Sequence, residues 1–193
     1  MSKGLIAVVA ILLVFGFFGC STYNGLVTKD TNVDEKWAQV QTQYQRRADL
    51  IPNLVNTVKG VANFEKSTLQ AVIEARAGAT GIRLNADQLT PENVQKFQQA
   101  QDQLSSSLSR LLAVAENYPQ LRATQNFSEL QAQIEGTENR ISVARNDFNT
   151  AVRDYNQSVR SFPANLFAGV FGFQRKGFFE ASQAAQQAPS VQF

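Results

Sequence analysis

Two carboxylates three residues apart, Glu135 and Glu138, share one face of a helical stretch with Arg140 close by, and Glu116 stands two residues before Tyr118. Acids at that spacing are what general acid–base chemistry or a carboxylate-held metal pair would use. A di-iron site on helices takes Glu-x-x-His pairs, and the chain has no His to complete one. The same absence removes Ser-His-Asp and Cys-His arrangements and zinc sites of the Cys/His kind. A single Cys rules out an internal disulfide. Helical acids at i and i+3 are far more often solvated or salt-bridged than catalytic. The reading is therefore of no enzyme, with no catalytic, cofactor-binding or metal-ligating residue assigned. A carboxylate-dependent enzyme, or a regulatory subunit of a membrane enzyme such as a protease, is the alternative.

Cys20 offers a different chemistry. Phe17-Phe18-Gly19-Cys20 resembles a bacterial lipobox, in which a small residue precedes a Cys that is acylated after cleavage, although the third residue before the Cys is usually Leu. The other reading is a thiol at the end of a membrane helix, where Cys acts as a small apolar residue. Residues 4–28 carry no charged side chain and 5–18 are almost unbroken Leu, Ile, Val, Ala and Phe. That core is shorter than the roughly 20 residues of a spanning helix; adding 21–27 closes the gap, with Tyr23 as an interfacial aromatic. Residues 1–28 are thus expected to be the membrane anchor, as a transmembrane helix or as a lipoprotein signal ending at Cys20. Lys3 favours a cytoplasmic N-terminus, which places the following domain outside the inner membrane of a bacterial cell.

The chain has 193 residues, with 18 Lys+Arg against 16 Asp+Glu and a net charge of +2. Both signs are scattered and no block of five or six like charges occurs, so nothing argues for nucleic acid.

Strand-type alternation is nowhere sustained, and the pattern predicts an all-α fold. Val33, Trp37, Val40, Tyr44, Ile51, Leu54, Val58, Val61 and Val72 recur at three-and-four spacing, which predicts one helix over 31–77, about 70 Å long. Asp30, Thr31 and Asn32 are its N-cap candidates. Pro52 is expected to kink it, the alternative being two helices meeting near Ile51, and Gly60 is a second soft point. A second helix opens with Thr90 as N-cap and Pro91 in the first turn, runs through the seam Val94, Phe97, Gln101, Leu104, Leu108, Leu111, Ala115 and Tyr118, and ends at Pro119. Ser128-Glu129-Leu130-Gln131 has capping-box spacing and begins a third. That helix keeps heptad spacing from Leu130 through Ile134, Thr137, Ile141, Ala144, Phe148, Ala151, Tyr155 and Ser158 to Phe162. The expected architecture is an elongated antiparallel three- to four-helix bundle over 29–182 on a single N-terminal membrane anchor, with 183–193 a flexible tail.

Arg47 and Glu65 interrupt the first seam, and a buried charge must be paired. With three helices running out, back and out, Glu65 falls level with Arg145 and Glu74 with Arg153, and these are the expected structural charge pairs. The same path leaves Phe162 roughly 70 Å from the anchor. Phe plus basic residues suggests an interfacial membrane contact, but that distance argues against it. Phe167, Phe171, Phe173, Phe178 and Phe179 are then expected to cap the open end of the bundle or, with Arg46, Arg47 and Asp49, to form an interaction surface.

Several blocks resemble the LemA family of bacterial membrane proteins: Tyr23-Asn24-Gly25-Leu26-Val27, Gln45-Arg46-Arg47-Ala48-Asp49-Leu50-Ile51-Pro52-Asn53-Leu54, Glu74-Ala75-Arg76-Ala77, Ala115-Glu116-Asn117-Tyr118-Pro119, Glu135-Gly136-Thr137-Glu138-Asn139-Arg140-Ile141, Phe148-Asn149, Tyr155-Asn156 and Phe162-Pro163. The resemblance covers 23–181. It implies one N-terminal membrane helix, a helical-bundle body and a poorly defined biochemical role. Where the family often has an aromatic residue after Lys59-Gly60 and a His before Glu65, this chain has Val61 and Phe64, so no imidazole stands beside Glu65. The function expected is a membrane-anchored scaffold or interaction protein of the cell envelope, without cofactor, whose partners are the membrane and other envelope proteins or copies of itself.

Overall fold

The computed structural model describes residues 3–61 and 64–180, except for the side chains of 3, 5–12, 14 and 15. Among the described residues the chain is all-helical, with helices α1 Lys3–Lys59, α2 Lys66–Gly81, α3 Pro91–Ala115, α4 Pro119–Arg122, α5 Gln125–Arg160 and α6 Ala164–Phe171, plus a 3₁₀ turn at Ala86–Gln88. The expected tail, 183–193, lies outside the described residues.

The first helix differs from expectation at both ends. No break separates the apolar amino-terminal stretch from the seam-bearing part, and α1 ends at Lys59 instead of continuing to 77. Pro52 lies inside α1 without ending it. The carbonyl that Pro52 cannot serve, that of Ala48, accepts Arg76 Nε at 2.9 Å, so the missing helical donor is replaced from α2. The real break is 60–65. Val61 N–H turns back onto the Val58 carbonyl, and Phe64 is buried against Tyr118 with ring centroids 5.0 Å apart. Gly60 and the burial of Phe64 together favour a reversal there over a continued helix.

That reversal redirects everything after it. Residues 51–58 of α1 share one core with Leu69, Val72, Ala75 and Ala79 of α2, Leu104, Leu108 and Leu111 of α3, and Phe127 and Ile134 of α5. Residues 33–44 share a second core with Leu84, Leu89, Val94, Phe97, and Ile141, Phe148, Val152 and Tyr155 of α5. So α1 and α3 run one way, α2 and α5 the other, and the second core is the one nearer the start of α1. Thr90 caps α3 as expected, its Oγ1 accepting from Asn93 N–H at 3.3 Å. The capping box at 128–131 does not form: α5 starts at Gln125, where Phe127 enters the core, and Ser128 Oγ turns back to the Arg122 carbonyl.

The end of the chain is the main correction. α5 returns to the start of α1 and α6 packs on it, with Phe167 against Gly19 and Phe171 edge-on to Tyr23 at 5.0 Å. The aromatic segment stands beside the amino-terminal stretch and not at the opposite end. Phe162 leaves the seam altogether and is exposed.

Candidate functional site: an arginine layer and a clamped strap

Between the two apolar cores lies a polar layer built on Arg47, which is 1% exposed. Its Nη1 donates to Glu138 Oε1 at 2.7 Å and to Ser105 Oγ at 2.6 Å, and its Nη2 to Gln101 Oε1 at 2.6 Å. Nε of Arg47 has no hydrogen-bond acceptor among the described residues. Gln101 passes the contact on by donating to the Ala79 carbonyl at 3.1 Å. The polar interruption in the α3 seam is thus a relay that joins α1, α2, α3 and α5.

One turn along α1, Tyr44 lies between two guanidinium groups, with Arg47 Cζ 5.1 Å and Arg145 Cζ 5.6 Å from its ring centroid. Arg145 Nε donates to the Tyr44 hydroxyl, and its Nη2 pairs with Asp102 at 3.0 Å. Burial pushes the Tyr44 phenol above its ordinary value, an effect that Arg145 and Arg47 oppose. Glu138 and Arg145 open onto a cleft of about 380 Å³ shared with Ser142, Asn146 and Asn149. The carboxylates of the layer are already held by cations, which disposes the group to fix helix register more than to move protons. Among the described residues no cluster of His, Cys, Asp and Glu suits a metal ion.

Gly172 ends α6 in the left-handed conformation, φ 78°, and the second feature is the segment 173–180 that follows and runs back along α3 and α5. Three side-chain amides each take both polar atoms of one strap residue. Asn156 accepts from Lys176 N–H at 2.9 Å and donates to its carbonyl at 2.8 Å. Asn149 does the same to Phe179, at 2.9 and 2.8 Å, and Gln98 to Glu180, at 2.9 and 2.8 Å. The spacing has a geometric cause. Seven helical residues rise about 10.5 Å, and three extended residues advance about 10 Å. Asn149 and Asn156 therefore meet the strap at 179 and 176.

Side chains complete the closure. Gly177 N–H donates to the Leu89 carbonyl at 2.8 Å, and a Cβ there would stand 2.7 Å from Pro91 Cα, so only Gly fits. Lys176 Nζ reaches Asp30 at 2.7 Å and Asp34 at 2.9 Å on α1. Those two carboxylates stand near Tyr155, whose phenol is raised mainly by burial and further by both of them. Phe179 enters the second core among Trp37, Phe97 and Phe148, with Arg145 Cζ 4.9 Å from its face.

Against this geometry several expectations are corrected. Glu65 is fully exposed at the start of α2 and accepts from Ser67, which holds its carboxyl below the usual range, while Arg145 pairs with Asp102. The Glu65–Arg145 pair does not form, because the reversal at 60–65 puts Glu65 at the far end of the molecule. Glu74 accepts from Gln70 on its own helix at 2.8 Å, and Arg153 makes no ion pair with it. Arg47 and Phe179, expected on an interaction surface, are interior. Arg46 and Asp49 are exposed, Asp49 accepting from Gln45 at 2.7 Å; Phe171 and Phe178 are exposed, and Phe167 and Phe173 half-buried. Cys20 is exposed on α1. Glu135 is exposed and accepts from Gln131 on its own helix at 2.9 Å, while Glu138 is taken by Arg47. Asp102 and the three amide clamps were not singled out. Phe148-Asn149 and Tyr155-Asn156, an aromatic–Asn pair repeated after seven residues, were the available signal.

The fold and site define an all-helical chain in which Arg47 and its partners join four helices and three side-chain amides close the carboxyl-terminal segment onto the bundle. The chain belongs to the LemA family, which it matches over residues 36–193. It is similar to magnetosome protein MamQ 2 of Paramagnetospirillum magneticum, 26% identical over 92% of this chain and 72% of that one. Magnetosome protein MamQ of Magnetospirillum gryphiswaldense is 25% identical over 84% and 66%. Protein LemA of Metamycoplasma hominis is 21% identical over 88% and 74%.

Proposed function

We propose that this chain is a membrane-anchored helical-bundle scaffold of the bacterial cell envelope, with its folded body on the extracytoplasmic side and no chemical step of its own. The supporting observation is the continuity of α1. One helix carries exposed Leu13, Phe17 and Phe18 near its start and, without a break, buried Leu26, Val33 and Trp37 further on. Among the described residues no helix is long and apolar enough to cross a membrane, and the apolar side chains of 5–12, 14 and 15 lie outside that description. The sequence of 4–28 supplies the anchoring stretch in this reading, and the magnetosome names of two relatives agree with a membrane setting. Partners, whether envelope proteins or further copies of the chain, would meet the exposed helical faces.

Extraction of membranes at alkaline pH tests the anchor. The full chain is expected to stay in the pellet and a form lacking 1–22 to be released. Full release of the intact, unmodified chain would end this reading. Acylation at Cys20 is separated from a spanning helix by Cys20→Ser, which would free the chain only if the lipid were its attachment.

A further inference from the structure

The aromatic α6 lies against the part of α1 that the anchoring reading places at the membrane surface. We propose that α6, with the turn before it, is a second lipid-inserting element that enters the outer leaflet beside α1.

The argument starts from exposure. Phe162 and Val170 are each 81% exposed, and Leu166 and Phe171 also face solvent. On α1, Phe17 is 76% exposed, and Leu13 and Phe18 are exposed as well. No charged residue occurs between Arg160 and Arg175. Exposed apolar side chains gathered on two adjoining helices are the kind of surface that marks a contact with another apolar phase.

The depth follows from the packing. A crossing of about 20 residues that begins at Gly4 ends near Tyr23, so Gly19 lies about 6 Å inside the hydrocarbon boundary. Phe167 touches Gly19, where a Cβ would come within 3.1 Å of the ring, and Phe171 meets Tyr23 one turn later. α6 therefore sits at the level of the last turn of the crossing. That is the depth at which interfacial helices bury their apolar faces, about 5–10 Å. Exposed Arg160 and Arg175 flank the segment, and long cationic side chains on either side of an apolar stretch reach headgroup phosphates while their stems cover apolar surface. The occupant of this surface is a phospholipid leaflet.

The proposal rests on the anchoring reading, and the test separates the two. Full-length chain carrying Cys20→Ser is given one environment-sensitive label, through Val170→Cys, Leu13→Cys or, as a water-side reference, Glu135→Cys. Each form is reconstituted in vesicles of phosphatidylcholine and phosphatidylglycerol. The proposal expects the labels at 170 and 13 to lose most of their emission to a quencher carried on lipid chains and little to iodide, with the reverse at 135. A label at 13 quenched from the lipid together with one at 170 quenched by iodide would overturn the proposal and leave the anchor standing. Iodide quenching at both positions would overturn both. Position 170 points away from the core, so its substitution leaves the fold intact.

Discussion

Removing the carboxylate of Glu138 is expected to lower folding free energy by about 3 kcal/mol, more than its position suggests. Glu138 is 38% exposed on its side chain, and a pair between exposed groups would be worth about 0–1 kcal/mol. Its partner decides the magnitude. Arg47 is 1% exposed, and after Glu138→Ala its guanidinium would stay buried with only Ser105 and Gln101 to accept from it. Solvent reaching the Glu138 side of the pair keeps the loss at the low end of the about 3–5 kcal/mol typical of broken buried pairs. With Arg47→Met in place no charge is stranded, and the same Glu138→Ala change is expected to cost under about 1 kcal/mol. Urea denaturation of the four proteins in one detergent measures the difference. Equal losses in both backgrounds would show that the layer is not held by this pair.

Phe179→Ala is expected to cost about 3–5 kcal/mol, the range for emptying a large aromatic site in a core. Phe178→Ala is expected to stay within about 0.5 kcal/mol. The two rings are adjacent in an extended segment and so point to opposite sides. Phe179 is 6% exposed among three core aromatics and Phe178 is 41% exposed. Loss of the Phe179 ring also leaves the carboxyl end of the strap held by the Asn149 and Gln98 amides, with Phe173 as its remaining apolar contact with the core. Trypsin cleavage at Arg175 and Lys176 should then accelerate in Phe179→Ala and be unchanged in Phe178→Ala. If both variants behaved alike, the segment would not be packed as described.

The helical class, the seams and the cap at Thr90 were legible because each rests on local spacing. So was the requirement that Arg47 be paired, though not by which carboxylate. What hid the rest was one turn. Gly60 was visible as a soft point, but the choice between a kink at Pro52 and a reversal at 60–65 depends on contacts far away in sequence. Arg76 supplies the donor that Pro52 lacks, and Tyr118 receives Phe64. With the reversal misplaced, every later height was misplaced too, which produced the Glu65–Arg145 pair and sent the phenylalanines to the wrong end. The amide clamps were hidden for another reason. Asn149, Asn156 and Gln98 act on backbone atoms of an extended segment, and backbone partners leave no complementary residue type to find in a sequence.

The return of the carboxyl-terminal segment to the start of α1 decides both the strap and the lipid contact, and a single distance tests it. Spin labels at Cys20 and at Leu166→Cys, both exposed positions, should report the close separation of neighbouring helices whose axes lie about 8–10 Å apart. A separation of about 60–70 Å, as an out, back and out path would give, would contradict it.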